Sequence, residues 1–192
     1  MSHNIGKVIY INLDKHVEKK NHIENQLRYF DLQFERFSAI NNPHDGIGCA
    51  QSHLAVLKMA REKKYKNVLI LEDDFVFTCT KDECENAMTK LFTQIPDFDV
   101  CMLAYNLQNG DIYQEYPFLL ENIEAQTTSA YLVNNTMYDE LINLYEESNI
   151  ELEKTRQHWI YAVDQIWKPM QLVKKWYCLN PRLGKQSIIL DW

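Results

Sequence analysis

An apolar run, Val68-Leu69-Ile70-Leu71, leads straight into three carboxylates, Glu72, Asp73 and Asp74. The run reads as a buried strand. Side chains alternate faces along a strand, so Glu72 and Asp74 are expected to project together, with Asp73 opposite. Acids crowded at the margin of a core repel one another, and a hard divalent cation with oxygen ligands removes that cost. Mg²⁺ or Mn²⁺ suits such donors, with Asp74 and Glu72 as the metal ligands. A cation there bridges two phosphates of a nucleotide diphosphate and stabilises the charge that develops as a sugar–phosphate bond breaks. The competing reading is a polar turn in which the acids simply end a strand at the solvent.

A second acid, Asp164, follows Trp159, Ile160 and Val163 and precedes Ile166 and Trp167. Apolar surroundings raise a carboxylate towards base-like values, which makes Asp164 the candidate general base for an incoming hydroxyl. Its alternative is a helix-surface acid paired with a lysine. Cys49 and His53 lie one helical turn apart and could share a metal, but no second soft pair has fitting spacing, so zinc is disfavoured. His53 and Ser52 are read as hydrogen-bonding residues, either within the fold or to a donor. The stretch His44-Asp45-Gly46-Ile47-Gly48 enters a helix whose first N–H groups suit a phosphate or a sugar hydroxyl. Trp159, Trp167 and Trp176 could stack on a sugar or a base, although aromatic residues at such spacing are more often core.

These groups need elements to carry them. Residues 7–13 read as a buried strand, and 14–31 as a helix with Ile23, Leu27 and Phe30 on one face. A strand over 34–40, a loop over 41–46 and a helix over 49–64 follow. Next come the strand 68–71, a helix through Ala87, Met88, Leu91 and Phe92 that ends before Pro96, and a strand over 99–104. Residues 108–124 lack a clear period and read as loops or edge strands near a site. A strand over 129–133, a helix over 137–145, a helical stretch over 157–175 interrupted at Pro169, and a strand over 175–179 complete the chain. This alternation predicts an α/β fold: one domain over residues 1–192, with a mostly parallel central sheet flanked by helices.

Bulk properties narrow the function. A chain of 192 residues that is 46% apolar can bury a continuous core. With 27 acidic against 20 basic residues and a formal charge of −7, it offers no basic face, so nucleic acid is not an expected partner. A phosphorylated ligand then needs a cation or a nest of donors. Five scattered cysteines without a C-x-x-C pair indicate a reducing compartment, and no run reaches signal-peptide or transmembrane length. The expected location is cytoplasmic.

Several segments, in order, resemble glycosyltransferase family 25, the group that contains lipooligosaccharide galactosyltransferases and the collagen galactosyltransferase domains. They are VIYINLD at 8–14, SAIN at 38–41, GIGCAQSHLAV at 46–56, VLILEDD at 68–74, SAYLV at 129–133, YAVDQIW at 161–167 and YCLNPRLGKQ at 177–186. The resemblance implies a GT-A-like Rossmann-type domain, a UDP-sugar donor (often UDP-galactose), Mn²⁺ or a similar ion, and inversion at the transferred carbon. It puts Glu72-Asp73-Asp74 at the family's acidic metal motif and Asn12, Leu13 and Asp14 beside the nucleotide. Ser52 and His53 would lie near the donor, and Asp164 with Gln165 near the reacting sugar or acceptor. The acceptor would be a glycan or glycoprotein, in lipopolysaccharide biosynthesis or protein glycosylation. Two departures stand out. Where the family has several arginines after N-L-D, this chain reads Asp14-Lys15-His16-Val17-Glu18-Lys19-Lys20. Nothing corresponds to the extra domain or retention signal of larger relatives, which leaves acceptor recognition to residues 108–126. Rival readings are an inactive nucleotide-sugar-binding protein of the same fold and a metal-dependent nucleotidyltransferase or phosphohydrolase.

Overall fold

The computed structural model describes residues 4–187. An eight-stranded sheet runs in the order β2-β1-β3-β8-β5-β9-β7-β6. Its strands are β1 (Lys7–Asn12), β2 (Phe34–Ser38), β3 (Asn67–Glu72), β5 (Val100–Met102), β6 (Asn106–Ile112), β7 (Leu119–Gln126), β8 (Ala130–Asn134) and β9 (Trp176–Leu179). The pairings β1–β2, β1–β3 and β5–β9 are parallel, whereas β8 is antiparallel to β3 and β5, and β7 to β9 and β6. Six strands therefore point one way, and only β8 and β7 are reversed. The expected α/β fold with a mostly parallel sheet is observed.

Strand alternation divides the core into two layers. Ile9, Ile11, Val68, Ile70, Tyr131 and Val133 face one side; Val8, Tyr10, Leu69, Leu71 and Leu132 face the other. The first layer is covered by α2 (Asp45–Glu62) and α4 (Tyr138–Thr155), the second by α1 (Val17–Tyr29) and α3 (Lys81–Gln94). Both faces are buried, which is why the central strands read as continuous apolar runs. The chain leaves β1 through α1 on one face and leaves β2 through α2 on the other, so the strand order switches between β1 and β3. Ligands of open α/β sheets bind outside the carboxyl ends of strands at such a point.

Several boundaries differ from those expected. The loop before α2 ends sooner, because Asp45 already begins the helix. Strand β3 stops at Glu72, and Asp73-Asp74 form a tight turn into β4 (Phe75–Phe77). The helical stretch over 157–175 is three single-turn helices, α5 (His158–Tyr161), α6 (Val163–Ile166) and α7 (Lys168–Gln171). Pro169 does not interrupt a helix; it lies in the first turn of α7, where its missing N–H costs nothing. The aperiodic region is an edge hairpin, β6 with β7, whose register shifts twice and whose outer strand is mostly exposed. A small second ladder pairs β4 with β10 (Gly184–Gln186). Gly184 is required there, because a Cβ would lie 2.2 Å from the Phe75 ring. No described helix is long and apolar enough to cross a membrane.

Candidate active site

At the carboxyl ends of β1 and β3 lies a cavity of about 490 Å³ whose wall includes Asn12, Leu13, Lys19, His53 and all three acids of the cluster. A slightly larger hollow of about 570 Å³, lined by Asn42, His44, Lys154 and Arg156 among others, has a single carboxylate, Glu153, already bonded by Gln51. The chemistry is concentrated at the first.

The turn after β3 gives each acid its own surroundings. Glu72 accepts from the Thr128 hydroxyl and from His53 Nε2, at 3.2 Å. Burial works to raise its carboxyl, but the His53 bond and charge, with the Thr128 bond, outweigh burial and hold it below the usual range. Asp73 accepts from Asn12 Nδ2 at 2.7 Å, and burial nevertheless raises it. Asp74 is 6% exposed; its Oδ2 accepts from Gln186 Nε2 at 3.0 Å, while its Oδ1 is buried without a hydrogen-bond partner among the described residues. Burial first, then the charges of Glu72 and Asp73, push Asp74 up to about 7. The expectation that Asp73 would face away is corrected. The strand ends before it, so alternation no longer applies, and all three acids reach the cavity.

The other anticipated residues divide into those facing ligand space and those supporting it. Asn12, 2% exposed, binds Asp73 and His16 O through Nδ2 and accepts from Arg36 Nε at 2.9 Å. Leu13 lines the cavity. Asp14 lies at the surface, held by Arg36 at 2.5 Å and Ser38 at 2.8 Å; those bonds, Arg36 first, lower its carboxyl. Ser52 is fully buried, donates to Gly48 O at 2.6 Å and accepts from Ile40 N at 2.8 Å, so its hydroxyl ties down the loop before α2. His53 is equally buried. Its Nδ1 meets the Tyr131 hydroxyl at 2.8 Å and its Nε2 meets Glu72, an internal strut for the acid.

Asp164, in the first turn of α6, is not part of the cavity wall and connects to it through the hydrogen bonds of Thr127 and Gln186. It accepts from Thr127 N at 3.1 Å and from Gln165 Nε2 at 3.2 Å, and Gln165 Oε1 accepts from Gln126. The apolar setting read from the sequence is not what surrounds it, since Trp159 is 62% exposed and Ile160 is also largely outside. Thr127 connects the two acidic groups: its hydroxyl donates to Gln186 Oε1, and the Gln186 amide donates to Asp74. Trp167 and Trp176 are core, which leaves Trp159 as the one of the three available for stacking.

Sequence reasoning overlooked Arg36, Lys19, Thr128 and Gln186. Arg36 offers the guanidinium that the segment after Asp14 lacks, but from the neighbouring strand, so only β1–β2 register reveals it. Lys19, in the first turn of α1, lines the cavity, and its charge works to lower all three acids against the burial that raises them. Thr128 is delivered by the reversal of β8, and Gln186 by the β10–β4 ladder.

The family described as glycosyltransferase family 25 (LPS biosynthesis protein) matches residues 43–167, more than half of the chain. No curated protein matches the sequence. Among solved structures, a glycosyltransferase involved in the glycosylation of the major capsid of PBCV-1 is similar, with a TM-score of 0.54 and 12% identity over 95% of this chain and 94% of that one. Identity this low bears on the fold alone. An active-site mutant of LgtC (TM-score 0.48, 12% identity, 86% of this chain and 70% of that one) and GlyE of Streptococcus pneumoniae (0.47, 10%, 90% and 44%) are more distant and add no argument.

Proposed function

The chain belongs to glycosyltransferase family 25, and from that premise we propose that it moves a hexose, galactose first among candidates, from a UDP-sugar to a glycan or glycoprotein acceptor. The reaction depends on Mn²⁺ or Mg²⁺ and inverts the transferred carbon. One glycosyltransferase domain over residues 1–192, acting in the cytoplasm, belongs to the same reading.

The observation that carries it is the orphaned Oδ1 of Asp74, buried beside Glu72 at the switch point of the sheet. An isolated buried carboxylate oxygen is costly, and a hard cation is the partner that offsets the cost and also requires the ionised form. Asp74 and Glu72 fit that role. When bound, the ion supplies charge stabilisation to the departing UDP. The protein's own groups do the rest. Asn12, Leu13 and Asp14, braced by Arg36, flank the nucleotide, while Lys19, with Lys15 on the same wall, brings positive charge to the phosphate side. Asp73 holds Asn12 in place. Ser52 and His53 shape the donor side from within, the first through the loop before α2 and the second through Glu72. Asp164 takes the proton from the incoming hydroxyl, with Gln165 and Thr127 fixing its orientation.

A panel of UDP-sugars, each with Mn²⁺ or with EDTA, tests the reading by thermal shift and by UDP release. Metal-dependent stabilisation by one donor, with UDP release in the presence of an acceptor, is the expected result. Stabilisation without release would leave an inactive binding protein, and neither would remove the transferase reading.

A further inference from the structure

One cluster at the cavity wall has donors that a hard-cation site does not use. Cys49 Sγ, a ring nitrogen of His53 and a carboxylate oxygen of Glu72 lie within 4.8 Å of one another. The sequence shows only the i, i+4 pair Cys49 and His53 on α2; the third donor comes from the end of β3, across the layer between helix and sheet. We propose that Cys49, His53 and Glu72 form a binding site for a soft-to-borderline divalent ion, Zn²⁺ in particular, distinct in donor set from the Asp74 site that takes a hard cation.

Four features agree. Sulfur, nitrogen and oxygen donors at about 2.0–2.3 Å from one tetrahedral ion stand roughly 3.3–3.7 Å apart. His53 Nε2 and Glu72 Oε1 are at 3.2 Å, already at ligand spacing, and the Cys49 sulfur belongs to the same set of donors within 4.8 Å of one another. The second shell is present: His53 Nδ1 is 2.8 Å from the Tyr131 hydroxyl, to which it donates once Nε2 exchanges the proton it gives to Glu72 for the ion. Glu72 is likewise oriented, by the Thr128 hydroxyl. There is an entry path, because Cys49, His53 and Glu72 all line the cavity, and a fourth position opens into it. Charge also balances, since one thiolate and one carboxylate neutralise the ion. The Cys49 proton passes to solvent as the Zn–S bond forms. Three protein ligands and one open position suit an exchangeable ion better than a structural one.

A consequence concerns Glu72, which both sites need. If the proposed transferase reading holds, Zn²⁺ opposes activation by Mn²⁺ by occupying that carboxylate. The binding experiment does not depend on this. The full-length chain, freed of metal, is titrated with Co²⁺ as a spectroscopic substitute for Zn²⁺. One equivalent is expected to produce a sulfur-to-cobalt charge-transfer band that Zn²⁺ abolishes. Cys49→Ser should lose the band, and Cys79→Ser should keep it. Tyr131→Phe should weaken affinity roughly tenfold through the second shell. In the unaltered chain, Zn²⁺ should protect Cys49 from alkylation, a measurement that stands even if Cys49→Ser does not fold. Absence of the band, a band lost in Cys79→Ser, or alkylation of Cys49 indifferent to Zn²⁺ would overturn the proposal.

Discussion

Asp74 and Asp164 carry the same functional group in opposite settings. Asp74 sits in a turn fixed by two ladders, β3 in the main sheet and β4–β10 beside it, and one of its oxygens is buried with no partner among the described residues. Asp164 sits in a four-residue helix between other short helices, and both of its oxygens are engaged, one by Thr127 N from the segment between β7 and β8 and one by the adjacent Gln165. An acid left short of partners inside a rigid frame is suited to hold a cation, because nothing must be broken to bind it. An acid at a partly exposed helix start is suited to meet a substrate hydroxyl and to exchange protons. On the proposed function, their contrast divides the site into a donor side and a transfer side.

The sharpest way to break that division is Asp74→Ala, expected to abolish metal-dependent UDP binding and turnover while circular dichroism stays native; undiminished Mn²⁺-dependent binding would end the metal assignment. Next in size is Asp164→Asn. Transfer should fall by roughly 10² to 10⁴ while UDP affinity, measured by calorimetry, changes little. If donor binding falls in parallel, the two acids belong to one unit and the contrast fails.

The third test uses protons. Because Asp74 is raised to about 7, Mn²⁺ must displace a proton below that pH, so apparent Mn²⁺ affinity should fall towards tenfold per unit, about 50-fold from pH 7 to pH 5 because the group is already half protonated at pH 7. For stability without metal the sign is the reverse. The folded state binds the proton more tightly than the unfolded chain between pH 3.8 and about 7, so this group's contribution is present at low pH and is lost as pH rises through 7. Melting curves in EDTA from pH 5 to pH 8 should therefore fall more steeply for the unaltered protein than for Asp74→Asn; equal slopes would place the ionisation elsewhere. The smallest effect is Arg36→Lys. It keeps the charge but loses the fork that spans Asn12 and Asp14, and UDP affinity should weaken about tenfold, close to 1.4 kcal/mol.

How much of this was readable residue by residue follows from where the information resides. The apolar runs of β1 and β3 and the spacing of Ile23 and Leu27 reflect burial on both sheet faces, a local pattern, and each named a real element. The helix start at α3 also had a local signature, Thr80 with Glu83, whose side chains and backbones bond reciprocally as a capping box. The edge hairpin did not, because β6 is exposed and shifts register, so no alternation survives in its sequence. Asp73 was assigned the wrong face for a related reason: strand periodicity was extended one residue past the strand.

The sequence alone determined that acids stand at the end of a core strand, that the fold alternates helix and strand, and which family the motifs resemble. These are properties of neighbours along the chain. Only the tertiary structure decided which partners those acids receive. The reversed direction of β8 brings Thr127, Thr128 and Ser129 to the carboxyl edge of the sheet, where Ser129 O accepts from Glu72 N, and β10 returns Gln186 to Asp74. Strand direction and long-range pairing follow from how the whole chain packs, because a hydrogen bond between residues more than fifty positions apart leaves no periodicity in either segment.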